Sequence, residues 1–137
     1  MGQTNFEKLR VYQLAEQPAD LIWKIVIKWN FFAKDTIGKQ MVDAADGVGS
    51  NIAEGTGRGS LPDNRRFINI LRGCLYETKH WLRRSYRRKL LTDAEVNELK
   101  PIMDELVPKL NAYYRSIDLA VGKSRTKDKA QSTNYKN

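Results

Sequence analysis

A chain of 137 residues with 41% hydrophobic content can bury one core, so a single domain is expected. No apolar run reaches the ~18 residues of a membrane-spanning helix, because the longest, around Leu21 to Phe32, is broken by Lys24, Lys28 and Asn30. One cysteine, Cys74, and one histidine, His80, rule out an intramolecular disulfide and a Cys/His metal cluster. The net charge of +8 favours anionic partners.

The first helix is expected over residues 5 to 30, opened by a capping box of Thr4 with Glu7. The residues before it lack the basic start and apolar stretch of a secretory signal, so a cytoplasmic location is expected. Ile22, Ile25, Val26 and Trp29 recur at helical spacing and form its core stripe. Trp23 and Ile27 fall on the flank of that stripe, and Phe31 and Phe32 follow at its end. This surplus of apolar surface has two readings, a subunit interface or a wide core-facing stripe, and the interface is the one adopted.

Asp35 opens a second helix over residues 36 to 56, with Ile37, Met41, Ala44, Val48 and Ile52 facing the core. Asp43, Asp46 and Ser50 face outward, while Gln40, Gly47, Asn51 and Glu54 line the edge of the apolar stripe. The small residues there let another backbone approach closely. A carboxylate at such an edge needs a partner, so Glu54 is expected to meet Arg58, Arg65 or Arg66. The stretch Gly55-Thr56-Gly57-Arg58-Gly59-Ser60 lacks the Gly-Lys-Ser/Thr ending of a phosphate-binding loop and has no preceding strand. Its glycines are read as ending the helix and turning the chain.

Ser60 with Asp63, and Pro62 in the first turn, start a third helix over 61 to 90. Phe67, Leu71, Cys74, Thr78 and Leu82 face its core. Opposite them run Arg65, Arg72, Tyr76, Lys79, Arg83 and Arg87 at three-, four- and seven-residue steps, thickened by Arg84, Arg88 and Lys89 near the helix C-terminus. Such a stripe is either a solvated face or a phosphate-backbone surface on which Tyr76 stacks an unpaired base. His80 projects from the polar side beside Tyr76, Arg83 and Arg84 with Glu77 as its one acidic neighbour and is read as a solvated helix histidine, and Cys74 in the apolar stripe behaves as a small hydrophobe. No catalytic, cofactor or metal residue is assigned, and no enzyme activity is expected.

Thr92 with Glu95 opens a fourth helix over 93 to 119, whose stripe is Leu99, Ile102, Leu106, Leu110 and Ile117. Pro18, Pro101 and Pro108 lie inside helical stripes, where kinks or breaks are expected. Residues 121–137 hold Lys123, Arg125, Lys127, Lys129 and Lys136 against Asp128, half of the net charge, with little apolar area, and read as a disordered basic tail. The fold expected is an antiparallel up-down four-helix bundle over residues 1–120.

Asn51-Ile52-Ala53-Glu54-Gly55 followed by Gly57-Arg58 resembles the four-helix-bundle proteins encoded within intervening sequences of bacterial 23S ribosomal RNA genes. Phe6-Glu7-Lys8-Leu9 with Val11-Tyr12 is similar to that family's opening; Gln40 and Ala44-Ala45 precede the motif, and Arg66-Phe67 leads into Gly73-Cys74-Leu75-Tyr76-Glu77. The resemblance covers about residues 5 to 119. It implies a homopentameric barrel and kinship with the accessory variability determinant of diversity-generating retroelements, relatives that bind nucleic acid and a reverse transcriptase. Asp43 and Asp46 depart from a stretch commonly basic or neutral in the family, which argues against nucleic-acid contact through the second helix. The function expected is non-enzymatic nucleic-acid binding by an oligomer. The alternative is a scaffold whose basic third helix binds an acidic protein surface.

Overall fold

A computed structural model describes residues 5–135, with side chains up to Ser124. Four long helices, α1 (Arg10–Val26), α3 (Lys39–Thr56), α4 (Leu61–Arg87) and α5 (Asp93–Tyr135), form an antiparallel bundle, with a short α2 (Phe31–Ala33) at the first corner. Contacts run α1 to α3, α3 to α4, α4 to α5 and α5 back to α1. The α1/α3 side of the bundle therefore lies opposite the α4/α5 side.

The apolar stripes meet as their periodicity requires. Ile22, Ile25 and Val26 pack with Met41, Ala45, Leu91 and Leu99 at one end, and Leu14, Val48, Ile52, Leu71, Leu106 and Leu110 pack at the other. Val11, Leu14 and Ala15 extend the α1 stripe toward its N-terminus, and Ile68 and Leu75 widen that of α4. The packed part of α5 reaches Val121, which is buried, beyond the expected end at residue 119. The segment read from composition as a tail thus begins inside α5, which continues to Tyr135, and the side chains of 125–137 lie outside the described residues.

Helix starts depend on which polar side chain reaches an orphan N–H. At Thr92 the box closes both ways: the Thr92 amide donates to Glu95 Oε1 at 2.9 Å and the Glu95 amide to Thr92 Oγ1 at 3.1 Å. At Ser60 only the forward half forms, the Asp63 amide donating to Ser60 Oγ at 3.3 Å. Thr4 lies outside the described residues, and α1 begins later than expected, after Leu9, which offers no side-chain cap.

The first corner differs most from expectation. Asn30, not Asp35, caps the second helical segment, its side chain accepting from the Ala33 amide at 3.0 Å. Phe31 and Phe32 therefore open this segment rather than closing the first helix. A widened turn over Lys34–Gly38 follows, in which the Lys39 amide reaches back to the Lys34 carbonyl. Pro18, Pro101 and Pro108 break no helix. Pro101 and Pro108 sit on the exposed face of α5, where water can satisfy the carbonyls they leave unpaired.

α4 ends with Lys89 in the left-handed region at φ 62, while the Leu90 amide donates to the Ser85 carbonyl at 2.8 Å. That conformation costs a β-carbon-bearing residue about 1 kcal/mol. Lys89→Gly should therefore stabilise the protein by about 1 kcal/mol, read as a higher urea midpoint with an unchanged slope. An unchanged or lower midpoint would contradict the assignment.

Candidate functional site

α4 buries Phe67, Ile68, Leu71, Leu75, Thr78 and Ser85, which turns its basic residues away from the core. They divide into two groups. Arg65 donates from Nη2 to Asp118 on α5 at 2.9 Å, and the Arg72 guanidinium lies 4.3 Å over the ring centre of Tyr114. Both are half-buried and already engaged within the subunit. Beyond them Tyr76 is 63% exposed. Lys79 Nζ stands 5.5 Å from that ring centre. Lys79, Arg83, Arg87 and Arg88 are exposed and Arg84 is half-buried; none of the five has an acidic side chain within ion-pair distance among the described residues. The C-terminal half of α4 is thus an uncompensated cationic surface with one accessible aromatic ring, and the helix dipole favours cations at that end.

The motif around Asn51 performs a different task. Gly47 lets α3 approach α4 so closely that a β-carbon there would stand 2.7 Å from Cys74 Sγ. A β-carbon at Gly55 would meet Asn64 Oδ1, and Phe67 Cβ at 3.1 Å. Gly55 is therefore required for helix contact; neither it nor Gly57 adopts a left-handed turn. Asn51 Nδ2 donates to the Gly47 carbonyl at 2.7 Å and reaches Cys74 Sγ at 3.9 Å. Burial, with Glu77 nearby, pushes the Cys74 thiol up, which disfavours the thiolate. Arg58 and Arg66 stack on the Phe67 ring at 4.7 and 5.0 Å. The expected pairing of Glu54 is not present: Glu54 is exposed and contacts none of Arg58, Arg65 and Arg66, because Phe67 and Asp118 draw those side chains away. Its removal strands no buried charge. Gln40 is likewise exposed.

Trp23, Ile27, Phe31 and Phe32 come together at the corner between α1 and α3, exposed by 56%, 50%, 80% and 77%. Trp23, Ile27 and Phe31, but not Phe32, border an open groove of about 350 Å³ that also includes Val26 and Val42, with Lys34, Asp35, Lys39 and Asp43 on its rim. His80 is exposed, edge-on to Trp81 at 4.8 Å between ring centres. Among the described residues no group of His, Cys, Asp and Glu side chains could hold a metal ion, and no helix is long and apolar enough to cross a membrane.

A family model, that of the 23S rRNA-intervening sequence protein, matches residues 7–112, spanning the motif and all but the end of the bundle. The chain belongs to that family. Its fold is also similar to that of a crystallised protein of unknown function from the S23 ribosomal protein family of Bacteroides thetaiotaomicron VPI-5482, with a TM-score of 0.63 and 19% identity. The alignment covers 78% of this chain and 99% of the other. No curated protein matches the chain.

Three carboxylates, Asp20, Asp43 and Asp46, act on one another across α1 and α3. Asp46 on α3 has its carboxyl pushed up by burial, then by Asp20 on α1 and by Asp43. Tyr12 beside them is pushed up by burial and by Glu16, Glu7 and Asp20. A carboxyl with a raised folded-state value binds its proton more tightly in the native protein, so its charge costs stability once pH rises through that value. Asp46→Asn should stabilise at neutral pH, by ~0.5 kcal/mol or less because the side chain is exposed to screening water. The gain should vanish below about pH 4, where both states are protonated; a gain independent of pH would refute the electrostatic cause. Sequence spacing missed Asp118 and Tyr114 as partners of the basic stripe. Their only signal was a place on the fourth helix, which antiparallel pairing brings beside the start of the third.

Proposed function

We propose that the protein is a non-enzymatic, self-associating nucleic-acid-binding protein that grips the phosphate backbone through the C-terminal half of α4. The observation that carries this reading is the unpaired set Lys79, Arg83 and Arg87 on one exposed face of α4, with Arg84 and Arg88 on its flank and Tyr76 open to stack on a base. The placement of Arg65 and Arg72 narrows the surface from the full length of α4 to this half. The exposed corner of Trp23, Ile27, Phe31 and Phe32 supports self-association. The assembly we favour is the ring of five implied by the family resemblance. No base-reading motif accompanies the cations, so binding is without sequence preference.

Salt titration tests it. About four phosphates neutralised per copy give a slope near −3.6 on duplex nucleic acid, a loss of ~150-fold between about 50 and 200 mM salt. Fluorescence anisotropy with a labelled duplex measures that slope. A flat salt dependence, or binding only to an acidic protein surface, would move the scaffold reading ahead.

A further inference from the structure

We propose that the nucleic acid held by this surface is single-stranded, and that the groove between α4 and α5 beside the cations seats one of its unstacked bases. The assignment rests on the reading that the C-terminal half of α4 grips phosphates, and adds the form of the nucleic acid and a second point of contact. Three observations carry it. Lys79 belongs to both features: its Nζ stands 5.5 Å from the Tyr76 ring centre, and its side chain lines an open groove of about 410 Å³. That groove is otherwise walled by Leu82 of α4 and by Met103, Val107 and Pro108 of α5, with the exposed Asp104 on the α5 side. Neither Lys79 nor Asp104 is in an ion pair among the described residues, so both charges are available to a ligand.

These walls sort the parts of a nucleotide. A phosphate meets a cation on the α4 side and a carboxylate on the α5 side, so it stays with Lys79 and Arg83. A base is the part that fits between them. Its faces lose water against Leu82, Val107 and the polarisable thioether of Met103, and Asp104, which only accepts, takes a hydrogen bond from a base N–H. Every base carries such an N–H on its pairing edge, which agrees with binding without sequence preference. In a duplex the opposite base holds that edge and stacked neighbours cover the faces, so only an unpaired base enters. Tyr76, about one turn before Lys79, takes another base by stacking. The competing occupant is an amphipathic peptide helix, which needs anchors spaced over several turns. This groove is lined from Lys79 to Leu82 and from Met103 to Pro108, no more than about two turns of either helix.

Fluorescence anisotropy on the full chain with three labelled probes tests the proposal: a single-stranded oligonucleotide of mixed sequence, the same backbone lacking its bases, and a duplex. The intact and abasic strands carry the same charge, so their difference isolates the bases. The intact strand should bind about tenfold tighter with the same salt slope. Pro108→Glu, at an exposed position, and Val107→Glu, at a half-buried one, should each weaken the intact strand by about fivefold and leave the abasic strand and the duplex bound as before. Pro108→Glu and the abasic comparison keep the test decisive should Val107→Glu fail to fold. Intact and abasic strands bound alike, or groove variants that hold the intact strand as tightly as the unaltered chain, would overturn the base seat and leave the groove to a peptide, while backbone binding stands. Groove variants that sediment as smaller particles than the unaltered chain would also overturn it, by placing the groove in the contact between copies. A chain that binds none of the three probes would overturn the phosphate surface as well.

Discussion

Replacing Arg83 and Arg87 together by glutamate should reduce affinity for a nucleic-acid duplex by ~100-fold or more at about 50 mM salt, and lower the salt slope to about half its original value. The reasoning is local. Both guanidinium groups lie exposed on the same face of α4 and hold no carboxylate of their own, so each can release counterions from a phosphate. Reversal removes those contributions and sets two anions beside the backbone. The fold should be indifferent, since neither side chain packs in the core, and the thermal midpoint should shift by no more than the small amount usual for surface substitutions. The control is Arg65→Glu, which breaks the pair with Asp118 and should cost stability more than binding. Equal losses of binding from the Arg65 variant and the double variant would show that the whole length of α4 touches nucleic acid.

The second large effect is expected at the crossing of α3 and α4. Leucine at Gly47 or at Gly55 should destabilise by about 3 kcal/mol, at the upper end of overpacking costs. At both positions a single β-carbon already meets a neighbour: Cys74 Sγ at 2.7 Å from Gly47, and Asn64 Oδ1 with Phe67 Cβ at 3.1 Å from Gly55. Alanine separates two opposing contributions. It gains about 1 kcal/mol of helix propensity over glycine and loses a comparable amount to crowding, so Gly47→Ala should be near neutral. Adding Cys74→Ala should then turn it stabilising, because the crowding atom is removed. Urea denaturation of the single and double variants measures this coupling. A Gly47→Leu variant with an unchanged midpoint would mean the two helices can part without loss.

The sequence alone determined four helices, their order and the faces they bury. Periodicity is a local property, and each of the stripes Ile37 to Ile52, Phe67 to Leu82 and Leu99 to Ile117 lies buried or half-buried as its spacing requires. The Thr92 and Glu95 cap was equally legible, since both partners lie within one turn. The small residue at Gly47 announced a close approach that Cys74 then completed. Tertiary structure decided the rest. Asn30 takes the cap from Asp35 because the chain must turn so that Gly38 can press against Val26, with 2.6 Å left for a β-carbon. Arg65 and Arg72 leave the cationic surface because the antiparallel approach of α5 offers Asp118 and Tyr114, residues far along the chain that no spacing rule pairs with them. Glu54 keeps to the surface because Phe67 holds Arg58 and Arg66 instead. Spacing along one helix establishes which side chains share a face; which of those charges stay free depends on what the neighbouring helix sets against them.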